Sequence, residues 1–342
     1  MRRPLARTDR LRAAVAGILL ACLAMPAAHA QEPAPDARML TLGPWPPASP
    51  PADAAGRAAA ALGEQLFFSP RLGDGGGVRC ASCHEPWRRY TDGRPRALGR
   101  AEGARNTPTL LDVARHRRFG WDGARDELAS QALRPLADPL EMPAGARHVA
   151  TLLRDDPALA ARYAAAFGTP PQADEEAVLR AAGRALAAYV ATLASGRTPF
   201  DDWRDAVAAD PRARAPSAAA GRGLALFVGR GGCVACHGGP GFSDDDFHVS
   251  LVRSTRPDGR PDDGRAGLAP NSFRTPGLRD VAATAPYMHD GSVASLCDAL
   301  APHALGQPGP LGVAERRDLV AFLETLQSGP APAAEGARSC RP

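Results

Sequence analysis

The sequence predicts a mainly α-helical protein made of two related halves. Its composition is 44% hydrophobic but only 5% aromatic, and it is rich in alanine, which favours helices packed through small side chains. The stretch TPTLLDVA, which begins at Thr107, returns as TPGLRDVA at Thr275, 168 positions later. Fourteen residues beyond these threonines stand Trp121 and His289, each followed by Asp-Gly, so the offset is kept. Such a repeat indicates an internal duplication.

Each half also carries a Cys-x-x-Cys-His motif. Two thiols three positions apart can form thioether bonds to both vinyl groups of a haem, and the next histidine can coordinate its iron. Four cysteines could instead hold zinc, but zinc sites bring their pairs within about 20 residues, and these pairs begin 153 positions apart. We therefore predict two covalently bound haem c groups in two cytochrome c-like domains related by duplication. The ligands are Cys80, Cys83 and His84 in the first domain, and Cys233, Cys236 and His237 in the second.

The first thirty residues have the features of a secretion signal. Five arginines precede an apolar run from Ala13 to Met25, and Ala28-His29-Ala30 forms a cleavage site. The run is too short to span a membrane, and no other stretch is suitable. We predict a signal peptide over 1–30 and a periplasmic protein. The alternative, lipid anchoring at Cys22, is less favoured because leucine fits poorly at Leu20 in such a cleavage site.

The charge of the mature chain argues against a nucleic-acid partner. The full chain has 41 basic and 37 acidic residues, and the signal removes five arginines and Asp9. The remaining 36 basic and 36 acidic residues give a formally neutral protein, so there is no electrostatic support for nucleic-acid binding.

After the signal, the chain divides into segments of distinct composition. Residues 31–51 are rich in proline and alanine and predict a flexible or extended leader, in which Trp45 could act as an anchor. An alanine-rich helix over 52–68 precedes the first haem motif, and further helices are predicted over 155–167, 175–195, 218–229 and 313–327. We place the domain boundary so that 52–205 forms the first haem domain and 206–342 the second. Cys297 and Cys340 remain outside the motifs, and the sequence leaves open whether they pair.

The repeat reveals a difference between the two haems. Fourteen residues beyond Trp121 and His289, the aligned positions hold Pro135 and His303. Proline cannot ligate iron, whereas His303 could be the sixth ligand of the second haem. Met288 is a rival ligand, and His303 could also be an ordinary polar residue at a helix end.

An open face on the first haem needs a group that can move protons. Glu141 follows Pro135 by six residues, and Gln131 precedes it by one helical turn. A carboxylate over a haem can carry a proton between the two oxygens of bound peroxide, although most glutamates are simply solvated. Trp121 could relay an electron between the haems or could be a buried structural tryptophan. Asp244–Asp246 and Asp262–Asp263 could bind calcium but are more often solvated loop charge.

With these residues assembled, the chain resembles the bacterial di-haem cytochrome c peroxidase and MauG superfamily over nearly the whole mature sequence. The resemblance is carried by both haem motifs and by the stretches LFFSPRL from Leu66, RNTPTL from Arg105, WDG from Trp121, Glu141-Met142 and TAPYMHDG from Thr284. It implies that peroxide reacts at the first haem, with Glu141 and Gln131 beside it, and that Trp121 lies between the haems. It further implies one calcium ion held by the Asn106 side chain and by the backbone carbonyls of Thr284 and Pro286.

Two departures from that family bear on function. The peroxidases have a histidine in the loop after the first motif that caps the haem until reduction releases it, and the region around Arg100 has none. The first haem should therefore be open without prior reduction, as in MauG-like members. The sixth ligand of the second haem is methionine in the peroxidases and tyrosine in MauG, where this chain has His303, so two histidines and a lower potential are expected.

Three functions follow as hypotheses. The first is a MauG-like oxidase that reacts with hydrogen peroxide and draws electrons from a protein side chain through the second haem. The second is a cytochrome c peroxidase that takes electrons from a small cytochrome or copper protein. The third is a non-catalytic electron carrier with both haems closed, which the missing capping histidine and Pro135 disfavour. The sequence does not identify the donor or the oligomeric state.

Overall fold

The computed structural model describes residues 37–46, 51–301, 310–329 and 340. The predicted signal peptide, Cys22 and the predicted ligand His303 lie outside these residues.

The described residues are mainly helical, as predicted, with one short two-stranded sheet. The α-helices are α1 (Ala54–Phe68), α2 (Cys80–Cys83), α3 (Leu128–Ala137), α4 (Ala146–Asp155), α5 (Pro157–Phe167), α6 (Glu175–Val190), α7 (Pro199–Ala209), α8 (Ala218–Val228), α9 (Leu296–Ala299) and α10 (Val313–Glu324). Strands β1 (Phe247–Val249) and β2 (Ser272–Arg274) pair antiparallel, with Phe247 opposite Arg274. Five short 3-10 helices cover Ala37–Leu42, Pro86–Arg88, Val113–Arg115, Cys233–Ala235 and Val281–Ala283. None of the described helices is long and apolar enough to cross a membrane.

One hydrophobic cluster forms where α1 crosses α6. The Asp53 side chain caps α1 by accepting from the Gly56 N–H, so the helix begins at Ala54, two residues after the predicted start. Leu62, Leu66 and Phe67 then face α6, and all three are buried. The crossing is close because Gly63 has no side chain: a Cβ there would lie 1.9 Å from the Ala185 carbonyl oxygen.

A second cluster forms in the same way where α8 crosses α10. Phe227 of α8 packs against Phe322 of α10 with ring centroids 5.0 Å apart, and Phe200 and Phe242 complete an aromatic group. A Cβ on Gly223 would lie 2.0 Å from the Asp318 carbonyl oxygen, so glycine again permits the close approach. Helix α7, which includes the predicted domain boundary at 205/206, packs in this cluster through Phe200, Trp203 and Val207. The boundary itself stays a prediction.

Part of the segment that we predicted to be flexible is packed. Met39 and Leu42 are fully buried in the second cluster, because their three-residue spacing places both on one side of the 3-10 helix. The Trp45 ring lies between the guanidinium groups of Arg115 and Arg279, at 4.5 and 4.4 Å from its centroid. Over 37–46 the prediction of a flexible leader is therefore wrong, while Trp45 makes the contacts of an anchor.

A disulfide closes the carboxyl-terminal region. It joins Cys297 of α9 to Cys340, with the two Cα atoms 5.2 Å apart, and both residues are buried. The sequence left open whether these two cysteines pair. The structure shows that they do, and the bond holds Cys340 in the second cluster.

Candidate functional site

The first Cys-x-x-Cys-His motif forms a short helix that ends at its histidine. Helix α2 begins at Cys80 and ends at Cys83, and the His84 backbone N–H donates to the Cys80 carbonyl oxygen. The His84 Nδ1 lies 2.9 Å from the Tyr90 carbonyl oxygen, and burial lowers the pKa of this histidine. A neutral imidazole whose Nδ1 donates to a carbonyl presents Nε2 as a metal ligand.

The second motif has nearly the same arrangement. Residues Cys233–Ala235 form a 3-10 turn, and the His237 backbone N–H donates to the Cys233 carbonyl oxygen at 2.8 Å. The His237 Nδ1 lies 3.0 Å from the Phe242 carbonyl oxygen. Both histidines are thus oriented by a carbonyl five or six residues further along the chain.

The surroundings of both motifs fit a haem. None of the four motif cysteines is in a disulfide, and burial raises the pKa of Cys80 to about 12 and that of Cys83 and Cys233 to about 11. Partly buried apolar side chains pack against the cluster that each motif adjoins: Val78, Leu110, Leu111 and Val113 in the first, and Val234, Leu278, Val281 and Tyr287 in the second. Free thiols in a Cys-x-x-Cys-His motif and an oriented imidazole are the features on which haem c attachment depends.

Glu141 lies close to the first motif. Its charge contributes to the raised pKa of both Cys80 and Cys83, after the larger effect of burial. Burial also raises the pKa of Glu141 itself; Arg134 opposes this shift through an ion pair of 3.0 Å, and Asp138 adds to it. A raised pKa keeps the protonated form of a carboxyl group populated to higher pH than in an ordinary glutamate, which favours a role in proton transfer.

Trp121 is fixed by residues from distant parts of the chain. Its indole N–H donates to the Asn106 carbonyl oxygen at 2.8 Å, and its own carbonyl accepts from the Arg274 N–H at 2.9 Å. Gln131 lies on α3 with its side-chain oxygen near the Gly120 turn, 3.7 Å from where a Cβ on that glycine would stand. Trp121 is therefore held between segments that come from opposite sides of the predicted domain boundary, and Gln131 lies beside the turn that precedes it.

The three residues implied as calcium ligands lie on two segments that meet. The Asn106 backbone N–H donates to the His289 carbonyl oxygen at 2.8 Å, which places Asn106 beside the segment that contains Thr284 and Pro286. The buried Asn106 carboxamide donates through Nδ2 to the Arg94 carbonyl oxygen, so its Oδ1 points the other way. A carboxamide oxygen and backbone carbonyls are ligands that calcium accepts. These residues fit the predicted ion, which stays a prediction.

The acidic loops form ion pairs. Asp244 lies 2.8 Å from His248, Asp245 contacts His116 and Arg274, and Asp262 contacts Arg105 and Arg256. Within the described part of the chain, the group of His, Cys, Asp and Glu side chains that could hold a metal consists of Cys236, Asp244 and His248. Its cysteine belongs to the second haem motif, so this group borders a site already assigned. Asp244, Asp245 and Asp262 thus have protein partners for their charges.

Sequence reasoning missed two arginines near the candidate site. Arg134 pairs with Glu141, and its place one turn after Gln131 on α3 was a signal that could have found it. Arg105 pairs with Asp122, next to Trp121, and with Asp262. The Arg105–Asp262 pair has no local signal, because its members are 157 residues apart.

Comparison with known proteins agrees with these sites. A family model described as di-haem cytochrome c peroxidase matches residues 57–208. The chain is 39% identical over 295 residues to the methylamine utilization protein MauG of Methylorubrum extorquens, covering 79% of this chain and 78% of that protein. It is 35% identical to cytochrome-c peroxidase IdrP1 of Denitromonas iodatirespirans, covering 94% and 93%.

A solved structure is similar over most of the chain. The diheme peroxidase BthA from Burkholderia thailandensis superposes with a TM-score of 0.68 at 26% identity, covering 82% of this chain and 87% of that one. Both the sequence and the fold thus point to proteins with two haems.

Proposed function

The chain belongs to the di-haem cytochrome c peroxidase and MauG family, and we propose that it is a periplasmic enzyme that reacts with hydrogen peroxide at the first motif and draws electrons through the second. Reduction of one hydrogen peroxide to two waters takes two electrons and two protons. The proposal therefore needs a proton-transfer group at the first motif and an electron route to it.

The two motifs would hold the haems that the family carries. Cys80 and Cys83 would form the thioether bonds at the first site, with His84 on the iron; Cys233, Cys236 and His237 would do so at the second. When bound, the haems supply irons that can coordinate peroxide and store or pass on oxidising equivalents. His303, which lies outside the described residues, is proposed as the second iron's sixth ligand because of its place in the repeat and because the family has a sixth ligand at the corresponding position.

The observation that carries the proposal is the position of Glu141 beside the first motif. Its charge contributes to the raised pKa of both Cys80 and Cys83, and burial raises its own pKa above the ordinary value, a direction that favours proton transfer. Protonated, it can donate to the distal oxygen of peroxide; ionised, it can accept the proton of the proximal one. Arg134, 3.0 Å away, keeps the carboxylate oriented and favours its ionised form.

The loop after the first motif supports an open first site. Residues 85–105 contain no histidine, so this loop offers no imidazole to cap an iron. Its backbone is instead bonded to the Glu141 segment: the Arg100 N–H donates to the Glu141 carbonyl oxygen at 2.9 Å. We therefore propose that peroxide reaches the first site without prior reduction.

Trp121 is proposed as the electron relay, and Gln131 as a polar residue beside peroxide. The indole N–H of Trp121 is satisfied by a neutral carbonyl rather than by a base, so the ring would keep its proton while it passes an electron. Its position between segments from both halves supports this role, because a relay must approach both sites.

Matching details at the 168-residue offset support the proposed duplication. Asp112 and Asp280 both have left-handed backbones, each followed by a short 3-10 helix. Asp112 accepts from the Ser195 N–H, and Asp280 accepts from the Ser328 N–H in the same way. We retain two haem domains, 52–205 and 206–342, and a calcium ion at Asn106, Thr284 and Pro286 as parts of the proposal.

Two electron sources remain candidates because relatives of both kinds are similar to this chain. Likeness to MauG favours a protein side chain as donor, and the histidine-free loop agrees with that choice. Likeness to cytochrome-c peroxidase IdrP1, which extends over 94% of the chain, favours a small cytochrome or copper protein. A non-catalytic carrier is disfavoured by Glu141 beside the first motif.

The test is peroxide reactivity with and without the Glu141 carboxyl group. Haem-loaded, oxidised protein is mixed with hydrogen peroxide in a stopped-flow spectrometer, and the second-order rate constant of the haem absorbance change is measured. Glu141→Gln should lower it by about 10²- to 10⁴-fold, the range of general acid–base catalysis. The control Glu127→Gln removes an exposed carboxylate at the start of α3 and should leave it unchanged. An inert wild type, or equal rates for wild type and Glu141→Gln, would contradict the proposal.

A further inference from the structure

Residues 97–101 connect the first haem motif to Glu141. At one end, the Leu98 carbonyl oxygen lies 3.7 Å from the Cys83 Sγ. At the other, the Arg100 N–H donates to the Glu141 carbonyl oxygen at 2.9 Å, and the Ala101 N–H donates to that of Leu140 at 3.0 Å. The 97–101 segment therefore contacts both the cysteine that would hold the haem and the backbone of the residue that would act on peroxide.

Gly99 lies at the closest point of this contact. A Cβ at residue 99 would stand 2.6 Å from the Glu141 Cα, 2.6 Å from the Glu141 carbonyl oxygen and 2.6 Å from the Leu140 carbonyl oxygen. All three are backbone atoms, which cannot turn aside as the end of a flexible side chain can. The backbone of Gly99 does not have the left-handed conformation that favours glycine, so the contact, rather than the conformation, excludes a side chain here.

We propose that Gly99 is a positioning residue: through the 97–101 segment it sets the distance between Glu141 and the first haem motif. The inference rests on the proposed role of Glu141. Ordinary contact of a Cβ with these atoms begins at 3.4 Å, so an alanine would push the two segments apart by most of an ångström. A displacement of about 1 Å in a catalytic group can cost about 10²-fold in rate.

The same contact accounts for a fixed loop after the first motif. Two backbone hydrogen bonds to residues 140 and 141, made possible by the missing side chain at Gly99, hold the loop against the glutamate. If Gly99 were needed only to close the loop, an added methyl group would lower the stability of the protein. The rate of reaction with peroxide would then not change through Glu141.

The test compares two glycines of one loop. Gly99→Ala introduces the 2.6 Å contacts, whereas in the control Gly103→Ala the nearest atom to the new Cβ is the Ala97 carbonyl oxygen at 3.5 Å. In haem-loaded protein, Gly99→Ala should lower the rate constant for reaction with peroxide by about 10- to 100-fold, and Gly103→Ala should match the wild type. The low-spin EPR signal of the second haem should be the same in all three proteins.

A double-mutant cycle shows whether the effect passes through Glu141. In a Glu141→Gln background, Gly99→Ala should cause no further loss, because the group that it displaces is already gone. An unchanged rate in the single variant, or a full additional loss in the double variant, would overturn the inference. A wild type that does not react with peroxide would instead refute the proposed function.

Hydrogen exchange provides a readout that does not depend on peroxide chemistry. In the wild type, the amides of Arg100 and Ala101 should exchange slowly because both are bonded to the 140–141 backbone, and in Gly99→Ala they should exchange at least about tenfold faster. If Gly99→Ala does not fold, the wild-type measurement still decides: fast exchange at these two amides would overturn the inference.

Discussion

Replacing Asp262 by asparagine should destabilise the protein by about 2–3 kcal/mol at pH 7. Asp262 has no exposed side-chain area and forms a two-point ion pair with Arg105, with nitrogen–oxygen distances of 2.7 and 2.8 Å. Arg256 adds a third contact at 3.1 Å. Asp262→Asn keeps the shape of the side chain but removes its charge. The largely buried Arg105 then has Asp122 as its one remaining carboxylate partner among these contacts.

The magnitude follows from the ionisation of Asp262. Burial opposes ionisation, but hydrogen bonds and charge from Arg105, together with the charge of Arg256, hold the pKa of Asp262 at about 2, below the ordinary 3.8. A folded-state pKa of about 2 against the ordinary 3.8 corresponds to about 2–3 kcal/mol of stabilisation. Because the folded-state pKa is the lower one, this stabilisation is fully present above about pH 4 and is lost as the pH falls through 2.

The assay is urea unfolding of haem-loaded protein at pH 7, 4 and 2.5. The neighbouring exposed residue gives the control, since Asp263→Asn makes the same chemical change at the surface. We expect a clear stability loss for Asp262→Asn at pH 7 that shrinks toward pH 2.5, and almost no loss for the control. Equal losses in the two variants at pH 7, or a loss that does not diminish in acid, would refute this reasoning.

Three further outcomes are expected. Gly223→Ala should lower the free energy of unfolding by about 1–3 kcal/mol, because the new methyl group would lie 2.0 Å from the Asp318 carbonyl oxygen. In the same urea unfolding experiment, the control Gly221→Ala on the same helix should lower it by less than half as much. Removing the disulfide by Cys297→Ser with Cys340→Ser should lower the free energy of unfolding by up to about 4 kcal/mol, because the bond closes a loop over a separation of 43 residues. An unchanged melting temperature would contradict this. His303→Ala should convert the low-spin EPR signal of the second haem to another form, and an unchanged spectrum would remove the ligand assignment.

The elements that could be predicted from sequence are those with a local or repeated signal. The haem motifs, the helix starts at Asp53 and Asp174, and the matched stretches around Asp112 and Asp280 each depend on residues close together in the chain. Their physical causes, capping and ligand spacing, act over a few residues. The predicted helices accordingly agree with the structure to within a few residues, except that the one expected over 175–195 ends at Val190.

What could not be predicted depends on contacts between distant segments. The packing of Met39 was hidden by the proline-rich composition around it, which favours an extended chain. The pairing of Cys297 with Cys340 required their distance in space. The role inferred for Gly99 follows from an approach to Glu141, 42 positions away, that leaves no pattern in the sequence.

The proposed function depends strongly on the predicted difference between the two irons, one open and one with two histidine ligands. It is tested most directly by an EPR spectrum of the haem-loaded, oxidised protein before and after one equivalent of hydrogen peroxide. We predict one high-spin signal, from the haem at His84, and one low-spin signal, from the haem at His237, with the high-spin signal lost on reaction. Two low-spin signals that peroxide leaves unchanged would contradict an open first site and, with it, the enzyme.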